Sequence, residues 1–114
     1  MSQELEDRFE RYATRIRDFC RKLKTDIINV EYIKQLIRGS ASVGANYIEA
    51  SDDLGKADER MKMKIARRES KESVYFLKLI LTHENEMLEK ERLELLSEGT
   101  QIRLILSTIL LRLK

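Results

Sequence analysis

The sequence predicts an all-α protein, an antiparallel up-down-up-down four-helix bundle formed as a single domain by residues 1–114. Proline is absent and only four glycines occur, which disfavours turn-rich β folds and proline-rich linkers. Charged residues make up 37% and hydrophobic residues 42% of the chain, a mixture typical of long amphipathic helices. Apolar residues then recur at spacings of three and four in four separate segments, which is the period of an α-helix.

The first predicted helix runs from Gln3 to about Lys24 and carries one apolar stripe. The second runs from Val30 to about Ser51, with Asn29 as its N-cap. In its middle lies the small-residue run GSASVGA at 39–45, whose glycines each cost about 1 kcal/mol of helix propensity. This run could be a loop that splits the segment, but the apolar period continues through it in phase. We therefore predict a continuous helix whose small residues let a neighbouring backbone approach closely.

The turn DDLGKA at 52–57 precedes the third predicted helix, which Asp58 or a neighbour caps and which ends near Thr82. The fourth runs from about Glu89 to the C-terminus, and short connections make neighbouring helices antiparallel. The fourth helix carries a second apolar stripe nearly opposite its main one. Leaving that stripe in water forgoes about 1.5–3 kcal/mol per side chain. We therefore predict a homo-oligomer with this stripe at the interface, formed by Leu93, Leu104 and Leu111.

No residue pattern indicates catalysis, a metal or another cofactor. The only histidine, His83, has no glutamate three residues before it, which a di-iron bundle would need. The only cysteine, Cys20, lies on the apolar stripe of the first helix, where we expect a buried thiol. Phosphate-binding glycine motifs and nucleophile motifs are absent from the sequence. We predict a protein that is not an enzyme.

Other features predict a cytoplasmic protein without a membrane partner. A single cysteine cannot form an internal disulfide, which fits a reducing compartment. The charged N-terminal segment lacks the apolar core of a signal peptide. The apolar runs at 104–106 and 109–111 are far shorter than the ~20 residues that span a bilayer.

The net charge of +2 indicates no particular partner, but the basic residues are unevenly distributed. On the third helix an arc of about 80° contains five of them and no acid, namely Arg60, Lys64, Arg67, Lys71 and Lys78. On the first helix three recur at seven-residue intervals, namely Arg8, Arg15 and Lys22. Such stripes can follow a phosphate backbone, so these residues are candidate RNA contacts. A solvated charged face is the alternative.

A carboxylate in an unusual position suggests a buried polar network. Glu69 falls within the apolar face of the third helix, and Glu72 lies at the edge of that face. A buried carboxylate must be paired, hydrogen-bonded or protonated. We predict that Glu69 is largely buried and hydrogen-bonded to a neighbouring helix; a functional carboxylate or a helix rotated to expose it are the alternatives. The candidate members of the network are Arg38, Asn46, Glu49, Glu69 and Glu72.

Two blocks of the sequence resemble a known family. QLIRGSASVGANYIEA at 35–50 and KIARRESKESVYFLKLI at 64–80 are similar to the small bacterial four-helix bundle proteins encoded within intervening sequences of 23S rRNA genes. That family is related to the accessory variability determinant proteins of diversity-generating retroelements. The chain departs from the family pattern at Gly39-Ser40, at Phe76, where tryptophan is frequent, and at Gly99, where the usual residue is acidic or polar.

The resemblance implies a four-helix bundle assembled as a ring-shaped homopentamer. The retroelement relatives act as non-enzymatic partners of a reverse transcriptase and its template RNA. From the resemblance and the basic stripes together, we expect a non-enzymatic oligomeric module that binds RNA or a ribonucleoprotein partner. The alternative is a protein-interaction scaffold with no nucleic-acid role.

Overall fold

Four helices pack side by side in the computed structural model, which describes residues 2–113. They are α1 (Gln3–Lys22), α2 (Ile27–Glu49), α3 (Lys56–Leu79) and α4 (Glu86–Arg112), and no strand occurs in the described residues. Each helix packs against the next in the chain and α4 packs back against α1, so α1 lies diagonally opposite α3. The prediction of an all-α, antiparallel four-helix bundle is confirmed.

The start of α2 differs from the prediction by one turn. The Asp26 carboxylate accepts hydrogen bonds from the backbone N–H groups of Ile28 and Asn29, at 3.1 and 2.8 Å, and is therefore the N-cap. Asn29 is instead fully buried inside the helix. Its amide donates to the carbonyls of Lys24 and Leu81, at 3.0 and 2.8 Å, and accepts from the Leu81 N–H at 2.9 Å. Asn29 thus joins the α1–α2 connection to the α3–α4 connection.

The starts of α3 and α4 also correct the sequence-based boundaries. The residue before α3 is Gly55, with φ at 104° and no side-chain cap, so Asp58 lies in the first turn rather than at the cap. Asn85 caps α4 by accepting from the Leu88 N–H at 2.9 Å. The helix α4 therefore begins at Glu86, three residues before the predicted start near Glu89. The first turn of α4 carries two acids, which its helix dipole favours.

The core contains the predicted apolar stripes together with side chains that the periodicity did not single out. In α1, Tyr12 and Phe19 are buried beside the predicted Ile16 and Cys20. The run at 39–45 is helical throughout, which confirms a continuous α2. Burial raises the pKa of the Cys20 thiol to about 12, so at neutral pH it stays protonated and packs as a small apolar group.

A buried hydrogen bond links the two diagonal helices α1 and α3. Tyr12 Oη lies 2.7 Å from Ser73 Oγ. Ser73 donates its own proton to the Ser70 carbonyl at 2.8 Å, so Tyr12 is the donor to Ser73. Gly99 of α4 lies directly over this pair, since a Cβ at that position would be 2.6 Å from Tyr12 Oη and 2.8 Å from Val74 Cγ2. The contact accounts for a glycine at this position.

The first prediction concerns this contact. Gly99→Ala should destabilise the fold by about 1–3 kcal/mol, because the new methyl group overpacks the core, although alanine favours a helix by about 1 kcal/mol over glycine. Chemical denaturation measures the change in the free energy of unfolding. Gly44→Ala is the matched control, since its Cβ would lie 3.4 Å from Phe9 Cβ, close to an ordinary contact. Equal stability for both alanine variants would contradict the packing argument.

Candidate nucleic-acid interface

The most concentrated positive charge in the described residues lies between α3 and α4. A surface cavity of about 370 Å³ lies along the junction of the two helices and is lined by basic side chains. The α3 residues recur every three or four positions and so share the face that borders α4. We call this cavity the basic groove; it is lined by Lys64, Arg67, Arg68 and Lys71 of α3 and by Arg103 of α4.

The cations of the basic groove have little negative charge close to them. Among the ion pairs formed by residues 2–113, none involves Lys64, Arg67, Lys71 or Arg103. Arg68 approaches a Glu69 oxygen at 3.9 Å, with most of its own side chain in solvent. Guanidinium and ammonium groups in this arrangement can donate several charge-assisted hydrogen bonds to one phosphate group. The groove is therefore suited to a polyanion.

Two residues of the predicted α3 stripe lie outside the groove. Arg60 donates from Nε to the Leu113 carbonyl at 3.0 Å, near the C-terminal end of α4. Lys78 is exposed about 10 Å further along α3 than Lys71. The helical period also places Tyr75 one turn beyond Lys71, with 58% of its surface exposed. The sequence analysis did not predict Arg68 and Arg103 as members of the basic groove, or Tyr75 as an exposed aromatic beside it.

The basic stripe of α1 forms ion pairs within the bundle. Each of its three members faces an acid of the antiparallel helix α4, and the acids recur at spacings of three and four. The nitrogen–oxygen distances are 2.8 Å for Arg8 with Glu98, 3.7 Å for Arg15 with Glu94 and 2.7 Å for Lys22 with Glu91. Arg8 contacts Glu98 through two nitrogens, and this contact raises the pKa of the guanidinium. The charge of these three residues is thus partly neutralised within the bundle, and their assignment to RNA stays a prediction.

The predicted hydrogen bond from Glu69 to a neighbouring helix is not formed. Its side chain is 19% exposed and so largely buried, as predicted, but among residues 2–113 its carboxylate accepts no hydrogen bond from another helix. One carboxylate oxygen instead lies beside Gly39, where a Cβ would be 3.4 Å away. Burial raises the pKa of the Glu69 carboxyl, and the Glu72 carboxylate raises it further, while Arg68 and Arg38 act in the opposite direction.

The other members of the predicted network lie at the surface of a single chain. Arg38, Glu49 and Glu72 are exposed. Glu49 pairs with Lys62 of α3 at 3.0 Å. Asn46 donates to the Ser42 carbonyl of its own helix at 2.8 Å. The prediction of a buried polar network is therefore wrong for one chain, and these polar residues form part of the outer face of α2 and α3.

With this geometry in place, a family comparison identifies the chain. The family described as 23S rRNA-intervening sequence protein matches residues 4–108. The chain belongs to this family. The match covers all of α2 and α3 and therefore both blocks that carried the resemblance. Comparisons with curated proteins and with solved structures give no significant match. The further relationship to the retroelement accessory proteins stays a prediction.

Two other properties of this family member bear on its chemistry. None of the helices within residues 2–113 has the length and apolar character needed to cross a bilayer. The same residues bring together no group of three or more histidine, cysteine, aspartate or glutamate side chains that could hold a metal ion.

The second prediction follows from the environment of Glu69. Because its pKa is raised in the folded state, its contribution favours folding at low pH and is lost as the pH rises through the ordinary value of 4.5 towards the folded value. Glu69→Gln should therefore raise stability at pH 7 rather than lower it. Urea denaturation at pH 7 and pH 4 should show the difference from wild type shrinking at the lower pH. A clear loss of stability at pH 7 would indicate a partner for the carboxylate.

Proposed function

We propose that the protein is a non-enzymatic, self-associating cytoplasmic module that binds RNA, alone or within a ribonucleoprotein, through the basic groove. One observation carries the proposal: five basic side chains from two helices line one cavity, and four of them have no ion-pair partner among residues 2–113. The resemblance adds a reverse transcriptase with its template RNA as the type of ribonucleoprotein to expect. The protonated, buried Cys20 thiol supports a role without nucleophilic catalysis.

The spacing of the cations favours an extended strand over a small anion. Successive turns of α3 are 5.4 Å apart, so a backbone running along the helix would meet one or two cations per turn. Arg60 and Lys78 lie at the two ends of this path and would extend the contact. Tyr75 is the aromatic beside the stripe that a base could stack on. Binding should therefore be mainly electrostatic, salt-dependent and weakly selective for sequence.

Self-association is part of the proposal because one groove offers few phosphate contacts. Several grooves held in one assembly would bind a single RNA with greater avidity. The surface that favours association is the outer side of α4, where Leu93, Leu104 and Leu111 are 54%, 53% and 70% exposed. The resemblance makes five subunits the expected number.

The alternative proposal is a protein-interaction scaffold without nucleic-acid binding. The exposed leucines of α4 favour it, since an apolar helix face can recruit a different protein as well as another copy. In that case the basic groove would be a solvated surface. Direct measurement of RNA binding separates the two proposals.

The third prediction concerns RNA affinity. Lys64→Glu with Lys71→Glu should weaken binding to a single-stranded RNA oligonucleotide, because it removes two cations from the groove. The logarithmic salt slope should fall by about 0.7 for each phosphate that the variant no longer binds. The control is Arg15→Glu with Lys22→Glu, which makes the same change in net charge on the ion-paired α1 stripe. Fluorescence anisotropy across a salt titration measures both, with circular dichroism to verify folding.

Two results would contradict the groove assignment. If both double variants weaken binding equally, net charge rather than the groove determines affinity. If the wild type binds no RNA at low salt, the scaffold proposal replaces this one.

The fourth prediction concerns assembly. Wild-type protein should form a homo-oligomer by light scattering, and Leu104→Glu should reduce the mass towards that of one 13.5 kDa chain, because it places a charge in the apolar interface. Leu54→Glu is the control, since Leu54 is 71% exposed but lies in the α2–α3 connection. A monomeric wild type at micromolar concentration would overturn the prediction.

A further inference from the structure

The outer side of α4 has the residue spacing of a coiled-coil seam. Its members follow one another at intervals of four, three, four, three and four residues, and none is charged. This spacing keeps a stripe in register with a partner helix. The stripe lies opposite the side of α4 that is buried in the bundle, where Leu95, Gly99, Ile102 and Leu106 pack. We call this stripe the α4 seam; it consists of Leu93, Ser97, Thr100, Leu104, Ser107 and Leu111.

A matching concave surface lies between α1 and α2. A cavity of about 340 Å³ there is formed by small residues of α2 and by Phe9 and Ala13 of α1. The small residues Ala41, Gly44 and Ala45 lie between Ile37 and Ile48, which are 44% and 49% exposed. Ile37, Ala41, Gly44 and Ile48 also follow one another at intervals of four, three and four residues. We call this surface the α1–α2 groove.

We propose that the α4 seam of one copy docks into the α1–α2 groove of a second copy. This proposal rests on the self-association proposed above and specifies its contact surfaces. Leu104 of the seam would lie between the two isoleucines of the groove, where glycine and alanine leave room, in the manner of a knob in a hole. Leu104 is the central knob, with Leu93 and Leu111 on either side.

Charge at the edges of the two surfaces favours the same occupant. The α1 rim of the α1–α2 groove carries Glu6, Asp7 and Glu10. On the flank of the α4 seam that faces away from the basic groove, Arg112 directly adjoins Leu111. A second copy therefore brings an uncharged centre to an uncharged centre and Arg112 to an acidic rim. Such complementarity selects the partner and its orientation.

The two surfaces lie on different sides of the bundle, because α4 is diagonally opposite α2. Each copy would therefore use its seam towards one neighbour and its groove towards the other, which is a heterologous contact that closes into a ring or extends as a chain. A contact of α4 with α4 would be isologous and would leave the α1–α2 groove unused.

Disulfide cross-linking between separately prepared variants tests the arrangement. Cys20 is 4% exposed and its pKa is raised to about 12, so introduced exposed cysteines are the reactive thiols. The Leu104→Cys variant is mixed with Ala41→Cys or with Ala45→Cys and left to exchange subunits. Each mixture is then oxidised and examined on a non-reducing gel. We expect a covalent dimer in at least one mixture and none from Leu104→Cys alone. Leu104→Cys mixed with Glu31→Cys, an exposed position on α2 outside the groove, is the matched control.

Each alternative outcome overturns a different part of the proposal. A dimer from Leu104→Cys alone would show an isologous α4–α4 contact. An oligomeric mass by light scattering with no cross-link in either groove mixture would place the interface elsewhere, while self-association itself would stand. A monomeric mass would remove self-association together with the docking. A cross-link to Glu31→Cys as strong as to the groove positions would indicate random collision.

Discussion

The hydrogen bond between Tyr12 and Ser73, covered by Gly99, is the constraint on which the arrangement of the surface depends. It joins the diagonal helices α1 and α3 through the core. The residue of α4 that packs against this pair must be a glycine, because a Cβ there would collide with Tyr12 Oη, and Gly99 is that residue. Fixing Gly99 inward fixes the rotation of α4. The opposite side of that helix, with Leu104 at its centre, must then face solvent.

The same rotation determines where charge is neutralised and where it is left over. The acids of α4 that face α1 pair with Arg8, Arg15 and Lys22. Arg103, on the other flank of α4, faces the basic side of α3 instead. Opposite charges therefore meet on one side of α4 and like charges on the other. The basic groove is a consequence of this segregation in a chain whose net charge is only +2.

Periodicity was sufficient to predict the four helices and the continuity of α2, because both depend on the pattern within one helix. Partners across helices were not predictable in the same way. The α1 basic stripe was interpreted without its ion pairs to Glu91, Glu94 and Glu98 of α4, although the spacing of those acids by three and four residues was readable in the sequence. The α2 cap was misplaced because Asp26 and Asn29 both suit that position. Glu69 was expected to find a hydrogen-bond partner on another helix, yet it packs against the space that Gly39 leaves.

Self-association and RNA binding can use α4 together because they use different sides of it. Arg103 and Leu104 are consecutive, and an α-helix of 3.6 residues per turn rotates consecutive side chains by about 100°. A second copy on the α4 seam would cover Leu104 and leave the α3 side of Arg103 open. The basic groove would then recur once per copy at a fixed spacing along the assembly. Under the proposed function, that repetition would supply the affinity that the few phosphate contacts of one chain cannot, and the exposed leucines would contribute to RNA binding by holding the grooves together.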